Sequence, residues 1–168
     1  MAQDANVVPA IGVGLLGLGV GGQGVYEALH SRAATYMRRG GRALEVRRIA
    51  VRDVSRQRDV KVESALLCDD PLAVAVAPEI EIVVELMGGE QPALDCIRAA
   101  LSAGKHVVTA NKEIMAKHGP ELLAIAQTQG AELQYEASVG GGPPRPTTPR
   151  AGQVYPCDRR CRSRPESG

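Results

Sequence analysis

Apolar runs alternate with amphipathic stretches along most of this chain. The predicted strands are residues 11–16, 44–51, 80–87, 105–109 and 132–136. The predicted helices are residues 21–39, a segment that begins at Asp70-Pro71, 92–104, 112–118 and 120–130. A short apolar patch at 65–67 is left unassigned. This alternation predicts an α/β fold with a Rossmann-type, doubly wound and mostly parallel sheet.

A glycine-rich turn joins the first strand to the first helix. Its glycines at 17, 19 and 22 fit the G-x-G-x-x-G spacing, which allows a tight turn, close approach of a pyrophosphate and close helix packing. Anion binding here uses the N–H groups of the helix N-terminus. A plain strand-to-helix turn would also use glycine. The residues predicted to contact a dinucleotide are Gly17, Leu18, Gly19, Val20, Gly21 and Gly22.

Length and composition limit the domain organisation. Trp and Phe are absent, so the core must be built from Val, Leu, Ile, Ala and Met, which suits a parallel sheet covered on both faces. The 168 residues accommodate one dinucleotide-binding domain, predicted over 11–142, without a full substrate domain. Residues 143–168 hold six of the 11 prolines and no Leu, Ile or Met, which predicts a disordered Pro- and Arg-rich tail.

Charge and hydropathy argue against several classes of protein. The net charge of +1 divides into about −3 for residues 1–142 and +4 for the tail, so the folded part has no basic footprint for nucleic acid. No apolar run is long enough for a membrane span, and the polar N-terminus lacks a signal-peptide pattern. Four cysteines do not make a disulfide framework. We therefore expect a small-molecule substrate and a cytoplasmic location.

Arg52 and Asp53 follow the second strand, where a ligand would lie in an open α/β sheet. Asp53 would accept hydrogen bonds from the ribose of NAD, whereas Arg52 would pair with the 2′-phosphate of NADP. Because Arg56 and Arg58 follow closely, the sequence favours NADP, with NAD as the alternative. A solvated polar loop would contain the same residue types.

The next two strand ends supply further candidate residues. Gly88 and Gly89 remove side chains where a nicotinamide would lie, although a helix-entry turn would also use glycine. Thr109 ends the strand at 105–109 and Asn111 follows it, and both are predicted to contact the cofactor; Asn111 can also cap the next helix. Lys112 is the predicted catalytic residue, because a cation in a first helical turn opposes the dipole and instead suits charge stabilisation at a carbonyl. A lysine that extends into water is the alternative.

Glu136 ends the last predicted strand and precedes a glycine-rich loop with free carbonyls. A carboxylate with backbone oxygens suits a hard cation, whereas a helix N-terminus with an acidic cap would contain the same residues. The three histidines, at 30, 106 and 118, are expected on the surface or as satisfied core residues.

Four segments together resemble the N-terminal half of homoserine dehydrogenases. They are the glycine loop of 13–25, Ala50-Val51-Arg52-Asp53, the Thr109-Ala110-Asn111-Lys112 segment, and Tyr135 to Gly142. The resemblance implies reduction of aspartate 4-semialdehyde to homoserine with NADPH or NADH, in threonine and methionine biosynthesis. It also implies that Lys112 is an active-site lysine, that Arg52 reads the adenosine phosphate, and that Glu136 with the carbonyls of Ala137 and Val139 holds a monovalent cation such as Na⁺.

The sequence departs from that family after Gly142. Family members continue into a catalytic and dimerisation domain and are expected to be homo-oligomers, whereas here a Pro- and Arg-rich segment follows. We expect that the catalytic domain is missing, that residues 143–168 are out-of-frame sequence, and that turnover by this fragment is very weak or absent. A dinucleotide-binding module without turnover is the alternative. A thioester-forming semialdehyde dehydrogenase is disfavoured because Cys96 falls within a predicted helix.

Overall fold

The computed structural model describes residues 8–135, and the segments 1–7 and 136–168 lie outside the described residues. The predicted tail and the end of the predicted last strand therefore stay predictions. The strands are β1 (Ile11–Leu16), β2 (Leu44–Ala50), β3 (Leu67–Cys68), β4 (Ile82–Glu85), β5 (His106–Thr109) and β6 (Leu133–Gln134). The α-helices are α1 (Val20–Ser31), α2 (Ala33–Gly40), α3 (Pro71–Val76), α4 (Ala93–Ser102) and α5 (Lys112–Gln129).

The six strands form one sheet in the order β3-β2-β1-β4-β5-β6. Every neighbouring pair is parallel, so the prediction of a Rossmann-type doubly wound sheet is confirmed. Strand order reverses between β1 and β4, and a crevice opens at the carboxyl ends of strands at such a switch point. The loops after β1, β2, β4 and β5 therefore meet at one edge of the sheet.

Helices cover the two faces of the sheet unequally. On one face, Tyr26 of α1 belongs to a buried cluster with Val13, Leu15 and Ile49. On the other face, α3, α4 and α5 contribute to a larger cluster that includes Leu16 and the buried centres of β4 and β5. Alternate residues of β1 thus face opposite clusters, as the two-residue period of a strand requires.

Two predicted helix boundaries are wrong. The predicted helix 21–39 is divided at Arg32, whose backbone leaves helical geometry at φ −110° and ψ 14° and ends α1. The predicted break at Gly119-Pro120 does not occur, and α5 runs through Pro120 without interruption. Pro120 is exposed and Gly119 is buried near Met115, so the helix keeps its packing despite the missing N–H group.

The apolar patch at 65–67 forms part of the sheet edge. A short 3₁₀ helix covers Ser64–Leu66, and Leu67–Cys68 then pairs with β2 as β3. A two-residue strand is too short to show a two-residue period of apolar positions, so no local pattern predicts it. Several predicted strands are shorter in the structure, but each of the five predicted strands is present within the described residues.

Candidate functional site

The glycine loop has the geometry that its sequence spacing predicts. Gly17 has a φ of 101°, a conformation that L side chains rarely adopt, and its N–H donates to the Ala50 carbonyl of β2. A Cβ at Gly22 would lie 2.2 Å from the Gly17 carbonyl oxygen, so α1 approaches the turn closely. A Cβ at Gly19 would meet nothing within 4 Å, which leaves its outer side open to a ligand.

The N-terminus of α1 presents its first turn to the same open space. Val20 is 91% exposed, and no side chain caps the helix at Gly19. The N–H of Gln23 donates to the Gly19 carbonyl, so the N–H groups of residues 20–22 precede the first intrahelical bond. Unpaired N–H groups at a helix N-terminus favour an anion, and the residues present therefore fit a pyrophosphate.

A cavity of about 420 Å³ lies beside this loop. Gly17, Leu18 and Gly19 form one wall of it. The other lining residues come from the segments after β2, β3 and β4: Ala50, Val51, Arg52, Asp53, Arg56, Arg58, Asp69, Pro71, Leu86, Met87 and Pro92. Its volume is within the range of small-molecule sites, and it lies at the strand ends where the fold places them.

The segment after β2 has an ordered hydrogen-bond pattern around Asp53. One carboxylate oxygen of Asp53 accepts from the Ser55 N–H at 2.8 Å and from the Ser55 hydroxyl at 2.6 Å. The hydrogen bonds from Ser55 lower the pKa of Asp53. Arg58 donates to the carbonyls of Arg56 and Asp53, both at 2.7 Å. Within residues 8–135, no hydrogen bond or ion pair holds the Arg52 guanidinium, which is exposed.

A second group of predicted site residues is joined across the ends of β4 and β5. Asn111 donates its side-chain N–H to the Gly89 carbonyl at 2.6 Å, and its side-chain oxygen accepts from the Ile114 N–H at 3.2 Å. The Asn111 N–H in turn donates to the Thr109 hydroxyl at 3.0 Å. The prediction that Asn111 caps α5 is confirmed, and the same side chain also fixes the Gly88-Gly89 turn.

Lys112 occupies the first position of α5 and is exposed. It follows Asn111 directly, so it lies beside the Gly89 turn, although it does not line the 420 Å³ cavity. Glu113, also in the first turn, pairs with Lys117 at 2.7 Å. The described part of the chain shows no ion pair of Lys112 itself.

Glu85 is a buried residue of this edge that the sequence reasoning did not select. Its side chain is 0% exposed, and it lies at the last position of β4. Its carboxylate accepts from the Met87 N–H at 2.7 Å, from the Gly88 N–H at 3.4 Å and from the Thr109 hydroxyl at 2.5 Å. Its position inside the apolar run 80–87 is the sequence signal that could have identified it as a buried acidic residue.

The remaining candidates divide between the described and undescribed parts of the chain. Glu136, Ala137 and Val139, the predicted cation ligands, lie outside the described residues. Among residues 8–135, no group of three His, Cys, Asp or Glu side chains is placed to hold a metal ion. Cys96 is buried in α4, and desolvation raises the pKa of its thiol to about 11, which makes it a poor nucleophile.

The histidines at 106 and 118 each have a hydrogen-bond partner, a backbone N–H for His106 and a carboxylate for His118. The Nδ1 atom of His106 accepts from the Glu132 N–H at 3.1 Å, and the Nε2 atom of His118 lies 2.9 Å from Glu90.

A second cavity, of about 410 Å³, is lined by residues of β2, β3 and the segment before β3, and includes Arg47 and Arg48. Both arginines are paired with carboxylates there, so this cavity offers little free charge to a ligand.

Comparison with known proteins settles the family. Residues 17–136 match the family model described as homoserine dehydrogenase, NAD binding domain. The chain belongs to the homoserine dehydrogenase family. It is 38% identical over 135 residues to the homoserine dehydrogenase of Bacillus subtilis, a match that covers 80% of this chain and 31% of that protein. It is 42% identical over 132 residues to the Pseudomonas aeruginosa homoserine dehydrogenase, with coverage of 79% and 30%.

Solved structures agree with this assignment. A homoserine dehydrogenase from Thiobacillus denitrificans aligns with a TM-score of 0.69 and 44% identity, over 77% of this chain and 30% of that chain. A homoserine dehydrogenase from S. aureus aligns with a TM-score of 0.74 and 35% identity, over 80% and 34%. The chain thus spans about a third of the length of the homoserine dehydrogenases that it matches. In the described region, no helix has both the length and the apolar character that crossing a membrane requires.

Proposed function

We propose that this chain binds NADPH and serves the reduction of aspartate 4-semialdehyde to homoserine. The carrying observation is the geometry of the glycine loop: a Cβ at Gly19 would meet nothing, a Cβ at Gly22 would touch the Gly17 carbonyl, and Gly19, the N-cap of α1, lines the 420 Å³ cavity. This arrangement lets a pyrophosphate approach the backbone where no side chain intervenes. The match to an NAD-binding domain of homoserine dehydrogenase supports a nicotinamide dinucleotide as the cofactor.

The charges around the cavity support NADP over NAD. One carboxylate oxygen of Asp53 accepts two hydrogen bonds from Ser55, and the carboxylate can accept more, so the preference for NADP rests on the neighbouring arginines. Arg52 and Arg56 line the cavity, and their guanidinium groups have no partner among the described residues. A guanidinium suits the planar, bidentate recognition of a phosphate, so these two side chains are proposed to receive the 2′-phosphate.

Lys112 is the proposed catalytic residue. NADPH, when bound, would supply the hydride for the aldehyde carbon, so that negative charge would develop on the aldehyde oxygen. Lys112 begins α5 directly after Asn111, whose side chain binds the Gly89 carbonyl, and its ammonium would stabilise that charge or donate a proton to that oxygen. The proposal also includes a cytoplasmic location, a role in threonine and methionine biosynthesis, a homo-oligomeric state for full-length members, and a monovalent cation at Glu136, Ala137 and Val139.

A second function is dinucleotide binding without turnover, because the family match is to the NAD-binding domain alone. Titration of the 168-residue chain with NADPH, followed by nicotinamide fluorescence, tests the binding that both functions require. Oxidation of NADPH in the presence of aspartate 4-semialdehyde then separates them. We expect saturable binding, and binding without turnover would favour the second function. Absence of binding would contradict both functions, and robust turnover that Lys112→Met abolishes would establish the first.

Arg52→Ala is expected to raise the Kd for NADPH by about tenfold or more, because a charge-assisted hydrogen bond to a phosphate contributes about 1.5–3 kcal/mol. The Kd for NADH, which lacks the 2′-phosphate, should change by less than about twofold on the same reasoning. Fluorescence titration of both cofactors measures the two effects. Arg39→Ala, at an exposed arginine in the last turn of α2, removes the same charge away from the cavity and is the matched control. Equal losses for both cofactors would contradict the assignment.

A further inference from the structure

Glu85 is a carboxylate in the interior with an unusual set of partners. Its three hydrogen-bond donors are two backbone N–H groups and one hydroxyl, all neutral. Across residues 8–135, no Lys, Arg or His nitrogen comes within 4 Å of it. Burying a carboxylate is costly, and neutral donors compensate that cost only in part. Glu85 thus lies at the end of β4 without a cationic partner among residues 8–135.

The hydrogen bonds of Glu85 form a closed ring. Glu85 and Thr109 are register partners on the neighbouring parallel strands β4 and β5, so their side chains lie on the same face. The Thr109 hydroxyl donates to Glu85 and accepts from Asn111, whose side chain donates to the Gly89 carbonyl. The N–H of Gly88, the residue before Gly89, donates to the Glu85 carboxylate and closes the ring. This ring fixes the turn after β4 and the start of α5 relative to each other.

The ring lies next to the proposed cofactor cavity. Leu86 and Met87, the two residues that follow Glu85, line that cavity, and the Met87 N–H is one of the donors to the carboxylate. Lys112 follows Asn111 at the other side of the ring. The two elements that would flank a nicotinamide are thus held by one buried carboxylate. The field of that carboxylate is weakly screened because the site is buried.

We propose that Glu85 is an ionised positioning residue for the nicotinamide half of the cofactor, and that its charge favours the cationic oxidised ring over the neutral reduced ring. The inference rests on the proposed function, since it requires that the chain binds NADP(H). Its two components are separable. The ring of hydrogen bonds positions the loop for either redox form, whereas the charge distinguishes NADP⁺ from NADPH.

The test measures the Kd values of NADP⁺, NADPH and 2′,5′-ADP for the 168-residue chain by calorimetry, with thermal melts as a check on folding. Glu85→Gln removes the charge at nearly constant volume. It should raise the ratio of the NADP⁺ Kd to the NADPH Kd by about fivefold or more, as expected for loss of one nearby charge at an intermediate dielectric. The Kd for 2′,5′-ADP, which has no nicotinamide, should stay unchanged. Glu90→Gln removes a half-buried charge nearby in the chain that is paired with Lys117 and His118, and should leave the ratio unchanged.

Thr109→Val and Thr109→Ser test the ring while they retain the Glu85 charge. The valine variant, which lacks the hydroxyl, should weaken NADP⁺ and NADPH binding by about threefold or more, since a buried donor and acceptor lose their partners. It should leave 2′,5′-ADP unaffected, and the serine variant should restore binding.

An unchanged ratio in a folded Glu85→Gln chain would overturn the charge component. Unchanged affinities in Thr109→Val would overturn the positioning component, and this arm remains decisive if Glu85→Gln fails to fold. Failure of the unsubstituted chain to bind any of the three ligands would instead overturn the proposed function.

Discussion

Replacing Gly22 with alanine is expected to lower the free energy of unfolding by about 3 kcal/mol, in the range of strong overpacking effects. The added Cβ would lie 2.2 Å from the carbonyl oxygen of Gly17 and 3.0 Å from its carbonyl carbon. Both are backbone atoms in a turn that is itself tied to β2, so no flexible side chain can move away. Helix α1 would have to shift outward, and Tyr26 would lose contacts in its buried cluster. A melt followed by circular dichroism should show a decrease in Tm of about 10 °C.

Gly19→Ala is the matched variant for this experiment. Gly19 has φ −74° and ψ −163°, a conformation open to any residue, and a Cβ there would meet nothing within 4 Å. We therefore expect a melting curve like that of the unsubstituted chain. The methyl group would instead occupy the space proposed for the pyrophosphate, and the Kd for NADPH should rise by about tenfold or more, as expected for a close backbone approach. Normal stability of Gly22→Ala, or normal binding by Gly19→Ala, would contradict the assigned roles.

The features that depend on local sequence could be predicted. The spacing of glycines 17, 19 and 22 predicted three different environments, and the structure shows a positive φ, an open side and a close contact at those positions. Asn111 was predicted as a cap from its position before an amphipathic segment, and its side chain accepts from the Ile114 N–H. Both signals are contained within about one turn of chain, where propensity and hydrogen-bonding geometry determine the result.

The features that depend on tertiary contacts could not be predicted from the sequence. Glu85 and Thr109 become partners only through the register of β4 against β5, which no local pattern specifies. The division of the predicted helix 21–39 at Arg32 and the continuity of α5 through Pro120 were likewise missed. In the second case, exposure of the proline and the packing of neighbouring turns outweigh the loss of one hydrogen bond. The sequence left NAD and NADP open at Arg52 and Asp53, and the positions of Arg52 and Arg56 at the cavity support the proposal of NADP.

Lys105 is expected to be the most important single lysine for the stability of the sheet. It lies at the amino end of β5, far along the strand from the cofactor edge, and is only 8% exposed. Its ammonium donates to the carbonyls of Ala77 and Ile80, both at 2.6 Å, and thereby closes the turn that leads into β4. Lys105→Met retains most of the apolar stem but leaves two carbonyls without this donor. We expect a loss of about 2 kcal/mol in the free energy of unfolding, measured by urea titration, because a buried acceptor left unpaired costs about 1–3 kcal/mol and the Ala77 carbonyl still accepts from the Ile80 N–H.

The pH dependence of that loss gives a sharper test. Burial lowers the pKa of Lys105 from its ordinary value of 10.5, with the charge of Glu79 acting in the opposite direction. Between the folded and unfolded pKa values the unfolded chain binds more protons, so the contribution of Lys105 to stability rises with pH through this alkaline interval. The difference in unfolding free energy between the unsubstituted chain and Lys105→Met should therefore increase as pH approaches 10.5. Lys61→Met, at an exposed lysine, should show neither the loss nor the pH dependence. A constant difference across that interval would mean that the Lys105 ammonium is as well solvated in the folded chain as in the unfolded one.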